Sequence, residues 1–487
     1  MDFLTQTEAR LKLENLQPLD RVALLSILFL TVLMGLLLWS GDRTYPKVRN
    51  FSWQNQQVGI NDTAFVLAFN RPMNWESVAA NLSIKPPLPG KLSWSGRRLA
   101  YTLTQPIPYG QTFQLELDQA TAAQAGQTQP RVMQPFRQPF HSRDLAFVYL
   151  GIAGPENGRL ALKNLTQKTQ QLLTPPNLTV LKFKVDSSYE RVLFTALDRT
   201  DPTQTIFEAS LYTASLKKPG NIQLLLDNAA AQILKFDVTP DGRTTVVQRY
   251  GREKDRTISL SILAEDGSIR QVANKKVDGD FVITPDGQTA AVSQNQGVNI
   301  VSLVPDAPPQ PVRFLPQFNH ALSFARDGTA ALMVKENEDA TQSLFWVPNE
   351  GTEQQLLTTA GDFFDAQLDP NTQTVYCLYS EFNPDANFRS DLQLNAISLK
   401  TGSRQVLKTF PGQATGHLSL APDYLGLLFE EISITDQIHP SVVRNIVGQT
   451  ITDSKLWLLP LTAEAKSPQP MIKSRIVASG IQPAWIP

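Results

Sequence analysis

Nine polar residues stand at repeating distances before a recurrent turn, and their types could do chemistry. They lie three or five positions before that turn, and they are Lys182, Lys184, Lys235, Asp237, Asp280, Asp365, Gln367, His417 and Gln482. The carboxylates Asp237, Asp280 and Asp365 are candidates for general acid or base catalysis. The same mixture of charges could instead bind a peptide or a small polar ligand, or form ion pairs that merely line a wetted channel.

Recognised catalytic motifs do not accompany these residues. The sequence contains no nucleophile elbow, no phosphate-binding loop and no metal-ligand spacing of Cys and His. The single cysteine, Cys377, lies in the apolar stretch TVYCLYS, which predicts a buried structural thiol. We therefore expect no catalytic, metal-binding or cofactor-binding residues and no cofactor, and we predict that the chain is not an enzyme.

The recurrent turn is the centre of a repeated unit. KFDVTPDGRTTVV, DFVITPDGQTAAV and ALSFARDGTAALM share one pattern, and weaker copies are KFKVDSSYERVLFTA, DAQLDPNTQTVYCLYS and HLSLAPDYLGLLFEE. The turn positions follow one another at intervals of 41 to 53 residues, from Ser187 to Pro422. Repeats of this length, each with alternating apolar residues around a Pro-Asp-Gly turn, are typical of β-propeller blades.

The order of these phrases resembles the TolB-type, WD40-like propeller repeat over 143–487. The chain ends in IQPAWIP, similar to the first half of such a repeat, while LAFVYLG, GRLALKNL and QQLLT resemble the other strands of a blade. Joining the two ends would close the ring and remove its open edges. The resemblance predicts an all-β propeller, with seven blades favoured and six or eight as alternatives.

A separate pattern occupies 45–142. FNRPMNWESV, WSG and PIPYGQTFQLEL are similar to the bacterial Ig-like domains of the S-layer type. That resemblance implies a small β-sandwich that acts as a spacer or an adhesive module, followed by a linker rich in Gln and Pro.

The N-terminal part predicts a membrane anchor. VALLSILFLTVLMGLLLW, from Val22 to Trp39, carries no charge and is long enough to cross the hydrocarbon layer as a helix. The 1–21 tail is neither short nor basic, which favours an uncleaved transmembrane helix at 22–41 over a signal peptide. The positive charges on the two sides of this helix are balanced and do not decide its orientation. The predicted domain types alone lead us to place 1–21 in the cytoplasm and the bulk in the periplasm, a lumen or the extracellular space.

Three long insertions suggest where a partner binds. They are LDRTDPTQTIFEAS, SEFNPDANFRSD and EISITDQIHPSVVRNIVGQTITDS, and each joins the second and third strands of a predicted blade. The third contains the candidate docking residues Ile438, His439, Val442, Val443, Arg444 and Ile446. Long loops on a rigid scaffold commonly carry function, so we predict a protein partner at this face.

Charge and composition exclude one class of partner. A net charge of −1 and a pI near 6.5, with no run of Lys and Arg, argue against nucleic acid. The sequence thus predicts a membrane-anchored, non-enzymatic scaffold whose propeller docks a protein. The alternatives are an enzyme, or a binder of small ligands or glycans, that uses the polar residues of the channel.

Overall fold

The computed structural model describes residues 18–40, 44–123, 131–186, 191–201, 203–252, 257–264, 267–272, 279–294, 297–304, 313–382, 390–413, 415–435, 450–461 and 474–487. It begins with the helix α1 (Pro18–Ser40), whose side chains over 22–36 are exposed. Among the helices of these described segments, none has both the length and the apolar character that crossing a membrane requires. The predicted transmembrane helix at 22–41 is therefore not supported by the structure.

Eight short strands and one helix follow, and they form two sheets. In chain order they are β1 (Val48–Phe51), β2 (Gln57–Val58), β3 (Ala64–Phe69), α2 (Trp75–Asn81), β4 (Leu82–Lys85), β5 (Gly90–Ser95), β6 (Arg98–Leu103), β7 (Thr112–Leu117) and β8 (Phe136–Ser142). One sheet has the order β1-β3-β6-β5 and the other the order β2-β8-β7-β4.

A shared apolar core joins these two sheets. Residues of β3 alternate between buried and half-buried, so that Phe65, Leu67 and Phe69 point inward. They belong to the same buried cluster as Phe113 and Leu115 of β7. The arrangement is a β-sandwich, as alternating apolar residues on two facing sheets require.

The rest of the described chain forms seven four-stranded antiparallel sheets, numbered here as sheets 1 to 7. Sheet 1 contains β12 (Leu178–Val185), β13 (Arg191–Asp198), β14 (Ser210–Ser215) and β15 (Ile222–Leu226). Sheet 2 contains β16 (Ala231–Val238), β17 (Thr245–Gly251), β18 (Ile258–Leu263) and β19 (Ile269–Gln271). Sheet 3 contains β20 (Phe281–Ile283), β21 (Thr289–Gln294), β22 (Gly297–Ser302) and β23 (Arg313–Leu315).

Sheet 4 contains β24 (His320–Phe324), β25 (Ala330–Glu336), β26 (Gln342–Pro348) and β27 (Gln354–Thr359). Sheet 5 contains β28 (Phe363–Asp369), β29 (Thr374–Phe382), β30 (Ser390–Ser398) and β31 (Arg404–Phe410). Sheet 6 contains β32 (Leu418–Leu420), β33 (Gly426–Thr435), β34 (Thr450–Pro460) and β35 (Arg475–Ala478). Sheet 7 contains β36 (Ile481–Trp485), β9 (Ala146–Leu150), β10 (Leu160–Asn164) and β11 (Thr169–Leu172), in that order.

Sheet 7 brings the two ends of this region together. The C-terminal β36 pairs with β9, with Ile481 opposite Leu150 and Trp485 opposite Phe147. The first strands of the sheets contact one another in the order β12, β16, β20, β24, β28, β32 and β36, and β36 contacts β12 again. The predicted all-β class is confirmed, and the repeated sheets are those of a β-propeller.

The repeated turn has one physical cause. In sheet 2 the Asp241 carboxylate accepts the backbone N–H of Arg243 at 3.1 Å, and Gly242 has a φ of 73°. Asp286 with Gly287 and Asp327 with Gly328 reproduce the same geometry in sheets 3 and 4. The left-handed conformation favours glycine, and the carboxylate closes the turn, so Asp-Gly recurs wherever the first strand reverses into the second.

Candidate functional site

The first strands of the seven sheets, which contact one another in turn, bring polar side chains together. Phe236 and Phe281 are buried between sheets, so the residues that alternate with them face the axis. The carboxylate of Asp365 in sheet 5 helps to raise the pKa of Lys184 in sheet 1, and these sheets are not neighbours. We call the following set the axial cluster: Lys182, Lys184, Lys235, Asp237, Asp280, Ser323, Asp365, Gln367, His417, Ser419, Glu430 and Gln482.

Two ion pairs join the first three sheets within this cluster. Lys184 Nζ lies 3.1 Å from Asp237 Oδ1, and Lys235 Nζ lies 2.6 Å from Asp280 Oδ1. Asp237 is the main reason that the pKa of Lys184 is raised, against the opposing effect of burial. Asp237 and Asp280 are thus each ion-paired with the lysine that stands at the same position of the preceding repeat.

Neutral hydrogen bonds join the later sheets at the same repeat positions. Ser323 donates its hydroxyl to the carbonyl of Ala366. The Gln367 side chain donates to Leu418 O at 3.1 Å and accepts the N–H of Leu420 at 2.8 Å. Since each bond links one first strand to the next, these side chains fasten neighbouring sheets together.

Glu430 also joins sheet 6 to sheet 7, and the sequence patterns did not single it out. Its side chain is 4% exposed, and Oε1 lies 2.8 Å from His417 Nδ1. The other oxygen, Oε2, accepts the backbone N–H of Gln482 on the C-terminal strand. Gln482 therefore contributes its backbone to this contact. The only signal in the sequence was an acid directly after the apolar run LGLLF of a second strand.

Lys182 and Asp365 have no ion-pair partner among the described residues. Lys182 Nζ is 3.4 Å from Leu234 O, and its pKa is lowered by burial and by the charge of Lys235. Burial raises the pKa of Asp365 to about 6, although the charge of His417 and the N–H of Leu418 oppose that shift. Perturbed groups of this kind are the ones able to exchange a proton or to bind a charged ligand.

His417 completes this part of the axial cluster. Burial is the largest single influence and lowers the pKa of His417, but the charge of the Glu430 carboxylate and its hydrogen bond act together against burial, and the pKa is raised. Asp365 raises it further, and Lys182 acts in the opposite direction. The pKa of His417 thus depends on Asp365 of sheet 5 and Lys182 of sheet 1 as well as on its own sheet.

The long loops are described in part. The docking candidates Ile438, His439, Val442, Val443, Arg444 and Ile446 lie outside the described residues, and so do 383–389 of the second insertion. In the first insertion, the large side chains of Ile206 and Phe207 are 64% and 56% exposed. This loop offers an apolar pair to the solvent.

Several bonds hold that apolar pair in place. Thr205 and Glu208 form a reciprocal capping box around the turn, with Thr205 N donating to Glu208 Oε2 at 2.7 Å. Arg252 of sheet 2 donates to Phe207 O at 2.9 Å, and the Asn228 side chain donates to Glu208 O. An ordered turn that exposes large apolar side chains loses little conformational entropy when a partner covers it.

The sandwich contacts the opposite side of the propeller. Tyr109 N donates to Asp423 Oδ2 at 2.9 Å, and Asp423 lies in the turn between β32 and β33. The long third insertion joins β33 to β34, at the far end of β33. Ten residues of strand at about 3.3 Å each separate these ends, so the sandwich contact and the end of β33 that leads into this insertion lie on opposite faces.

Comparisons with known proteins return matches among solved structures alone. No protein-family model and no curated protein matches the chain. Among solved structures, TolB from Acinetobacter baumannii is 11% identical with a TM-score of 0.38, covering 69% of this chain and 84% of TolB. A putative 6-phosphogluconolactonase from Bacteroides fragilis is 13% identical with a TM-score of 0.43, covering 71% and 98%.

An oligogalacturonate lyase from Vibrio parahaemolyticus is also 13% identical with a TM-score of 0.43, covering 59% of this chain and 88% of the lyase. TolB is among the solved structures that the chain resembles, whereas the membrane anchor and the bacterial Ig-like family find no support in these comparisons. Two of the three proteins are enzymes by name. The prediction that the chain is not an enzyme is contradicted by this finding, since absent motifs do not separate binding propellers from enzymatic ones.

Proposed function

We propose that this chain is a binding protein that presents the long-loop face of its propeller to a protein partner. In this proposal 45–142 and 143–487 are two domains, and the seven sheets are the blades of one closed ring. The single observation that carries the proposal is the exposed, tightly held pair Ile206 and Phe207 on the face opposite the sandwich. Rigid apolar anchors of this kind dominate the energy of protein interfaces.

The orientation of the faces supports the same function. The sandwich occupies the side of the Asp423 turn, so the long-loop face is left open for a partner. We also propose that α1 tethers the chain to a membrane with the bulk outside the cytoplasm. The support is the uncharged sequence from Val22 to Trp39, and resistance of the full-length chain to alkaline carbonate extraction tests it.

Site-specific cross-linking tests the proposed partner face. A photo-reactive phenylalanine analogue replaces Phe207 in the full-length chain, expressed in its native cells. The matched control replaces Phe314, which is 45% exposed on the outer strand of sheet 3. We expect a discrete protein adduct from position 207 that is absent from position 314 and is reduced at least fivefold by I206D. Equal adducts from both positions, or none from position 207, would overturn the proposal.

A second candidate function rests on Lys182, Asp365 and His417. Their perturbed pKa values at the centre of the ring are compatible with binding or converting a small charged molecule. A thermal-shift screen of small anions and zwitterions tests this candidate. A molecule that stabilises the parent chain and K235M but not K182M or D365N supports this candidate. Molecules that stabilise K182M and D365N as much as the parent chain contradict it.

A further inference from the structure

One acidic residue of the repeated turn has a second use. In sheets 2, 3 and 4 the turn acids Asp241, Asp286 and Asp327 are exposed to solvent. Each accepts a backbone N–H two residues further along, at 2.9 to 3.1 Å, through Oδ1. Their role ends with the closure of the turn.

Asp423 keeps the same bond but is buried. Its Oδ1 accepts Leu425 N–H at 3.0 Å, as in the other turns. It is only 6% exposed, because the sandwich covers it, and its Oδ2 accepts Tyr109 N–H at 2.9 Å. Burial raises the pKa of this carboxyl, and the N–H groups of Tyr109 and Leu425 lower it. The repeat has therefore supplied an acceptor that the sandwich uses.

A second contact lies beside the first. Gly110 follows Tyr109 with a φ of +72°, and a Cβ added there would lie 2.6 Å from Thr166 Oγ1 of sheet 7. Thr166 Oγ1 also accepts the N–H of Leu145 at 2.8 Å, where the chain enters sheet 7. The Tyr109 ring is buried as well, and its hydroxyl accepts Ile60 N–H at 3.1 Å within the sandwich. One loop of the sandwich thus contacts two sheets of the propeller, sheets 6 and 7.

We infer that Asp423 is a positioning residue that locks the sandwich onto the propeller, so that the two move as one rigid body. The short connection from Ser142 to Ala146 joins the domains at the same place, which leaves little freedom once the Tyr109–Asp423 bond forms. A buried N–H that loses its acceptor is unfavourable, and this gives the bond its directional strength. The lock exists whether or not a partner binds the long-loop face.

Distance measurements between spin labels test the lock. Cysteines replace Trp75 on α2 of the sandwich and Phe314 on sheet 3, which are 62% and 45% exposed. Cys377 stays unlabelled because it is fully buried and burial raises the pKa of its thiol to about 12. Electron–electron double resonance on the full-length chain then reports the distribution of sandwich–propeller distances.

We expect one narrow distribution for the parent chain and at least a twofold broader one for D423A. The matched control D286A removes the same turn bond from an exposed acid and should leave the width unchanged. G110A should broaden the distribution by a different route, since its methyl group would push against Thr166, and it remains informative if D423A does not fold. A broad distribution in the parent chain, or equal widths for D423A, G110A and D286A, would overturn the inference.

Discussion

The two halves of the ring centre use different chemistry at the same repeat positions. In sheets 1 to 3 the first strands are joined by Lys184–Asp237 and Lys235–Asp280, which we call the ion-paired arc. From sheet 4 to sheet 7 they are joined by Ser323, Gln367 and Ser419, which we call the hydrogen-bonded arc. The repeat thus dictates where a linking side chain stands and leaves its chemistry open.

The difference between the arcs follows from exposure and from the partner. Lys235 and Asp280 keep 32% and 60% of their side chains exposed, so water screens their attraction. Gln367 binds a carbonyl and an N–H of the neighbouring backbone, and Ser419 accepts Trp485 N–H at 3.2 Å. Bonds to backbone atoms of a half-buried strand leave unsatisfied groups behind when they are lost, and we expect them to contribute more to stability.

The sharpest test of this difference is Q367M. Methionine keeps the side-chain volume but removes the links to Leu418 O and Leu420 N. We expect the free energy of unfolding to fall by about 2 to 3 kcal/mol, because two backbone groups lose their partners. K235M is the matched control from the ion-paired arc and should cost less than about 1 kcal/mol. Denaturant unfolding measures both, and equal losses would show that the two arcs are energetically alike.

A second effect, confined to one pH range, is expected from D365N. The folded state holds the pKa of Asp365 at about 6, against an ordinary value of 3.8, so between these values it binds more protons than the unfolded state. Stability contributed by this group is therefore lost as the pH rises from about 4 to about 6. We expect the stability of D365N relative to the parent chain to increase over that range, measured by urea unfolding at a series of pH values. A constant difference between the two proteins would contradict this.

The smallest effect is expected within the ion-paired arc. A double-mutant cycle of K235M and D280N should give a coupling free energy below about 1 kcal/mol, because Asp280 is largely exposed. The coupling should decrease further in 1 M salt, where the Debye length is only about 3 Å and the attraction between the two charges is screened. A coupling that is large and independent of salt would remove the distinction between the arcs.

Much of the fold could be predicted because it depends on local patterns. Alternating apolar residues and the Asp-Gly turns led to the repeated sheets, and the resemblance of the two ends to parts of one repeat led to the pairing of β36 with β9. Counting back from the turn also selected Lys235, Asp237 and Gln367, and the structure shows each of them in contact with a neighbouring first strand. The role of Gln482 did not, since its backbone N–H makes the contact with Glu430.

The chemistry of the three candidate acids could not be predicted in the same way. Asp237, Asp280 and Asp365 look equivalent in the sequence, yet the first two are paired with lysines and the third is half-buried without an ion-pair partner among the described residues. Which acid remains available depends on the neighbours that the ring brings together. Absence of motifs likewise could not decide between binding and catalysis.

The sequence by itself determined the period of the repeat, the type of its turn and the side of each strand that faces the axis, because these depend on residues within a few positions of one another. Only the tertiary structure decided which polar groups meet. Lys184 and Asp237 are 53 residues apart, and Tyr109 and Asp423 are 314 residues apart. Such contacts depend on the order in which the sheets pack against one another and on where the sandwich contacts them. No local sequence pattern encodes either of these. For that reason the four turn acids Asp241, Asp286, Asp327 and Asp423 share one local geometry but differ in environment. The first three are exposed to solvent, and Asp423 is buried and accepts a hydrogen bond from the sandwich.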